Sequence, residues 1–151
     1  MKVTGKDSMS NFIKFALQLI FVTGVVIIAF LPILLNLYNE YINPTIIIIP
    51  TLILLYCSGL TALVIIFKFI QIFNTLKDNT PFIMKNVTNL KTCSVCSLII
   101  AIEYTIGIFF VNSIFSLVII GVFVIAFLGL YILSELLKQA INYKEENELT
   151  I

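Results

Sequence analysis

The chain has no histidine, no tryptophan and no arginine. Without histidine it lacks both the commonest general base and the commonest transition-metal ligand. Without arginine it has no planar fork for bidentate phosphate contacts, and a formal net charge of +1 gives no general attraction to polyanions. Direct nucleic-acid binding is therefore not expected. Charge of either sign is scarce, at 11% of residues against roughly 25% in soluble domains. Cysteine is scarce too: Cys57, Cys93 and Cys96 are an odd set that fits no disulfide framework. Cys93-Ser-Val-Cys96 has redox-type spacing, but no thioredoxin-like strand pattern follows it, and it lies where a span meets the reducing cytoplasmic side. All three are expected to be buried, inert thiols, with no cofactor and no metal. No Ser/His, Cys/His or paired-acid constellation exists to activate a nucleophile, so an enzyme is not expected.

What the chain has in excess is hydrocarbon. Hydrophobic residues make up 60% of it, against roughly 45–50% in soluble domains. Four apolar runs, Phe12–Leu35, Thr45–Phe67, Thr92–Val111 and Ile114–Leu137, each approach or exceed the ~20 residues that cross a bilayer. The expected fold is all-α: an integral membrane four-helix bundle, one transmembrane domain over residues 1–151, made of two antiparallel hairpins. Phe12–Leu35 exceeds the roughly 7–15-residue core of a signal peptide. It is read as the retained first helix, with Pro32 in its last turns, where a bend or an early end costs least.

The hairpins are joined by Lys68–Lys91, KFIQIFNTLKDNTPFIMKNVTNLK. Phe69, Ile72, Phe73 and Leu76 recur at helical spacing, and so do Ile83, Val87 and Leu90. Between them Asp78-Asn79-Thr80-Pro81 reads as a break, with Thr80 as the N-cap and Pro81 at the first position of a new helix. The two amphipathic pieces suit either a membrane-surface anchor or a docking surface for another protein.

Lysine placement gives the sidedness. Lys2, Lys6 and Lys14 precede or open the first span, Lys68, Lys77, Lys85 and Lys91 lie in the joining segment, and Lys138 and Lys144 lie in the tail. The loops around Glu40 and Asn112 have none. By the positive-inside rule both termini, the segment 68–91 and the tail 138–151 face the cytoplasm, in the cell membrane.

Small residues indicate where helices meet. Ser58, Gly59, Thr61 and Ala62 in the second span, and Gly121, Ala126 and Gly129 in the fourth, permit close approach, and the same faces would allow self-association. The third span carries Ser94, Ser97, Ala101 and Thr105 on one side and Cys96, Glu103 and Gly107 on roughly the opposite side. It is expected at the centre of the bundle. Glu135 and Lys138, three residues apart, are expected to pair at the inner end of the fourth span. Glu103 is the one ionisable residue well inside a span, roughly 16 Å in from Thr92 at 1.5 Å per residue. It has no basic partner at its depth, so a neutral packing role and an ion or proton site both stay open.

The tail Tyr143–Ile151, YKEENELTI, follows an aliphatic span and Leu137-Lys138-Gln139-Ala140. It resembles the carboxyl-terminal signature of the bacterial family filed as domain of unknown function 2975. Asn79-Thr80-Pro81-Phe82, followed by Asn86-Val87 and Leu90-Lys91, is similar to that family's linker. The resemblance implies a four-helix membrane protein without assigned catalytic residues, often encoded beside a small Cro/C1-type helix-turn-helix regulator. On this reading the cytosolic regulator is the expected partner, beside the lipid bilayer. Lys77, Pro81, Phe82, Asn86, Lys91, Glu145, Glu146, Asn147 and Glu148 are the candidate docking residues, their acidic members complementing a basic surface. The alternative is a small transporter or channel using Glu103.

Overall fold

The expected runs fold into four long helices: α1 (Thr4–Tyr41), α2 (Ile48–Lys77), α3 (Met84–Gly107) and α4 (Ile114–Leu149). The computed structural model describes residues 4–42, 47–77, 82–111 and 114–149; for residues 4–10 and Lys77 it describes the backbone alone. All four helices are long and apolar enough to cross a membrane. A helix satisfies its backbone within the segment, which lipid requires. Most large apolar side chains of α1 and α4 are exposed, while those of α2 are exposed or half-buried, and lipid is the matching solvent for such surfaces. The chain is a multi-pass membrane protein.

Neighbouring helices run in opposite directions. On α1 and α2, Gly24 lies against Leu63 and Gly59 against Ile28, while the rings of Phe21 and Phe67 are 6.4 Å apart. On α2 and α3, Leu54 lies against Gly107, the Cys93 thiol donates to the Ile65 carbonyl at 3.8 Å, and Asn86 Nδ2 donates to Thr75 Oγ1 at 2.7 Å. On α3 and α4, Ser94 Oγ donates to the Phe127 carbonyl at 3.1 Å. The packing is sequential: among the described residues no Cα of α1 comes within 8 Å of a Cα of α3 or α4. α1 and α4 face each other across a cavity of about 300 Å³ walled by residues of all four helices, among them Leu31, Ser58, Tyr104 and Phe123.

α3 is the centre, as its mixed sides imply. Of the six largest fully buried side chains, Asn86, Cys93, Ser94, Ser97 and Ile100 belong to α3 and only Ser134 to α4. Small side chains let α2 and α4 come close on both sides, and their hydroxyls are tied locally: Ser97 Oγ donates to the Cys93 carbonyl at 2.9 Å and Ser134 Oγ to the Tyr131 carbonyl at 2.7 Å. Such bonds keep buried polar groups satisfied where no water reaches.

Several boundaries and contacts differ from expectation. α1 runs through Pro32 to Tyr41: proline removes one backbone bond, and the flanking turns, with Leu31 and Leu35 buried, hold the helix together. α3 starts at Met84 with extended Ile83 as its N-cap residue, not at Thr80. The Asn86–Thr75 bond explains this start, because it seats the first turn of α3 on α2. Thr80, Pro81 and the turn at Asn112–Ser113 lie outside the described residues. The pieces 68–77 and 84–91 are extensions of α2 and α3 that pack on the bundle, with Val87 and Leu90 buried, rather than helices lying on the membrane surface. Gly121 and Gly129 face away from the other helices, with nothing within 4 Å of a Cβ built on either. Periodicity places them on one face of α4 but does not say that α3 lies on another. Close approach instead uses Gly24, Gly59 and Gly107. Cys57 is exposed, whereas Cys93 and Cys96 are buried.

The alternating arrangement gathers the described lysines, from Lys6 and Lys14 to Lys138 and Lys144, at one end and leaves Glu40 at the other. From Ile114 to Glu135 α4 rises about 32 Å, matching the ~30 Å hydrocarbon core. Lys91 and Glu135 therefore mark one border of the apolar slab.

Candidate functional site

Beyond that border α4 continues for about 21 Å to Leu149. Its sequence changes there from aliphatic to charged, but the helix persists: Lys144 and Glu148 sit one turn apart with Nζ and Oε1 at 3.8 Å, and buried Ile141 anchors the extension. The α2–α3 hairpin also projects on this side. Between Phe82, just before α3, and the α4 extension lies a groove of about 550 Å³ lined by Phe82, Ala140, Tyr143, Lys144, Asn147 and Glu148. The five α4 residues recur at intervals of three and four and so form one helix face. Phe82 is half exposed and Tyr143 largely exposed, which leaves two aromatic rings uncovered in an otherwise charged region.

The expected docking residues separate in this geometry. Phe82, Asn147 and Glu148 come together in the groove. Glu145 and Glu146 are exposed on the same extension. Asn86 does not belong to any docking surface: it is 1% exposed and clasps α3 to α2. Lys91 is held in the bundle, with Nζ 2.7 Å from Glu135 Oε1 and 5.9 Å from the centre of the Tyr131 ring. That contact replaces the expected Glu135–Lys138 pair, since antiparallel packing brings Lys91 closer than the next turn of α4 does. Pro81 and the Lys77 side chain lie outside what is described. Tyr143, Ala140 and Lys144 were not among the expected docking residues, although the helical periodicity of the tail carried the signal.

Glu103 occupies a different place, about 18 Å along α3 from Lys91 and hence well inside the slab. It lines a second groove, of about 330 Å³, between α2 and α3 with Pro50, Ile53, Leu54, Cys57, Ile106, Gly107, Phe110 and Val111. Its Oε2 is sealed from solvent without a hydrogen-bond partner. Among the described residues no three His, Cys, Asp or Glu side chains come together as a metal site.

Comparison with curated proteins and with solved structures finds no match. A family model does match: the one described as protein of unknown function, DUF2975, covers residues 36–151, so most of α1 lies outside it and α2, α3 and α4 lie within. With the linker and tail both inside the matched region, the chain belongs to the DUF2975 family of membrane proteins.

Proposed function

We propose that this protein is a membrane-embedded interaction component, working in signalling, that binds a cytosolic protein at its lysine-rich end. The observation that carries the reading is the groove between Phe82 and the Tyr143 face of α4. It combines what a transient protein contact needs: exposed aromatic anchors within a charged rim. By the positive-inside rule this end faces the cytoplasm of the cell. The α4 extension that carries the groove is acidic on balance, with Glu145, Glu146 and Glu148 against Lys144, and so favours a partner with a basic surface. A small DNA-binding regulator of the Cro/C1 type has such a surface, and the family resemblance, which implies such a regulator encoded nearby, supports that choice of partner.

The test is co-purification of the protein, in detergent, with a purified helix-turn-helix regulator of the Cro/C1 type. Capture by the full chain, lost on deletion of Tyr143–Ile151 and on Phe82→Ala, is the expected result. Undiminished capture by the truncated chain refutes the role given to the groove.

A further inference from the structure

The groove around Glu103 is independent of the docking surface, lies at membrane depth, and joins two features of opposite chemistry. Its walls are apolar, built from Ile53, Leu54 and Cys57 of α2, from Ile106 of α3 and from Phe110 in the turn after it. Yet one wall carries a carboxyl group, and one oxygen of that group is sealed with no hydrogen-bond partner. At membrane depth a carboxylate with one oxygen sealed is poorly solvated, and a counter-charge or a proton stabilises it. Among the described residues no counter-charge lies at this level: Lys14 and Lys68 belong to the lysine-rich end, and Lys91 is bound to Glu135.

We propose that this groove binds a lipophilic organic cation, a molecule with an apolar body and one positive charge, with Glu103 as its counter-ion. Other occupants fit less well. A calcium or magnesium ion wants about six or more oxygen ligands, and Glu103 is the only carboxylate in the groove wall. A lipid tail fills the volume but leaves the carboxyl unpaired. A second copy docked groove to groove about a two-fold axis sets Glu103 against Glu103, where like charges repel. An organic cation meets both demands, since its body covers the aliphatic wall and its charge answers the carboxylate. The Phe110 ring adds a face that attracts cations.

The probe is tetraphenylphosphonium, added to the full-length protein in nanodiscs of neutral phosphatidylcholine and measured by equilibrium dialysis. Saturable binding near one per chain is expected, weakened at least about tenfold by Glu103→Gln and retained in part by Glu103→Asp. Cys57→Trp fills the groove from the opposite helix while keeping the acid, and is expected to abolish binding with the thermal transition intact. Neutral triphenylphosphine oxide is expected not to compete. Equal binding by the wild type and Glu103→Gln, competition by the neutral analogue, or no saturable binding at all overturns the proposal.

Discussion

Among the described residues α1 packs closely on α2 and not on α3 or α4, and two glycines, Gly24 and Gly59, sit in that seam beside the Phe21–Phe67 ring contact. A Cβ built at Gly59 comes 3.1 Å from Cδ1 and 3.2 Å from Cγ1 of Ile28, inside the ~3.5–4.0 Å at which carbon atoms attract. Alanine there needs Ile28 to give way by a few tenths of an ångström, and the strain is offset by alanine's better helix propensity, about 0.8–1.0 kcal/mol over glycine. Gly59→Ala is therefore expected to be near neutral. Leucine gains nearly the same propensity, but its branch occupies the volume of Ile28 itself. Overpacking of this kind costs about 1–3 kcal/mol, a roughly 5-fold to 150-fold shift of α1 away from α2. Cross-linking reads this directly. A Gly24→Cys, Leu63→Cys pair in a chain without Cys57, Cys93 and Cys96 joins α1 to α2 at a second close contact. Leu63→Cys removes the Cδ2 atom that now lies 3.0 Å from a Cβ at Gly24. Oxidative cross-linking is expected to match the parent in Gly59→Ala and to fall sharply in Gly59→Leu. Equal cross-linking in both means that the α1–α2 seam is looser than these distances imply, and the reasoning fails.

Two further outcomes follow from other contacts. Asn86→Ala removes the 2.7 Å bond to Thr75, a class of membrane interhelical bond that contributes about 0.6 kcal/mol and at most about 1.7; the detergent thermal midpoint is expected to drop, while Thr88→Ala, on the exposed side of the same turn, leaves it unchanged. Reversing one charge of the Lys91–Glu135 pair, by Lys91→Glu or Glu135→Lys, is expected to lower the midpoint, and the double reversal to recover most of the loss. Additive losses in the double variant contradict the pairing.

The central place of α3 could be read from the residues alone, because a span with Ser94, Ser97 and Ala101 on one side and Cys96 and Gly107 on the other has no fully apolar face to give to lipid. The gathering of lysines at one end was equally legible, since short loops force antiparallel neighbours. What could not be read was which face of each outer helix meets α3. Gly121 and Gly129 have the right spacing but the wrong azimuth, and Gly24 attracts no notice until Leu63 lies beside it. Lys91–Glu135 and Asn86–Thr75 join residues far apart or across a break, so local spacing pointed instead to Glu135–Lys138, and the resemblance of the linker to a docking role for Asn86. Glu103 stood out as the intramembrane acid, but its groove is made jointly with Pro50, Ile53, Leu54 and Cys57 on another helix, which no pattern within α3 discloses.

α3 is the least apolar of the four spans and also the one whose side chains are most enclosed by protein. A segment of that kind gains little from partitioning into lipid by itself, and what holds it at depth is the company of its two neighbours. Biogenesis inherits the consequence: a nascent chain halted before α4 has emerged leaves Ser94 facing acyl chains instead of the Phe127 carbonyl, so stable insertion of the third span waits on synthesis of the fourth.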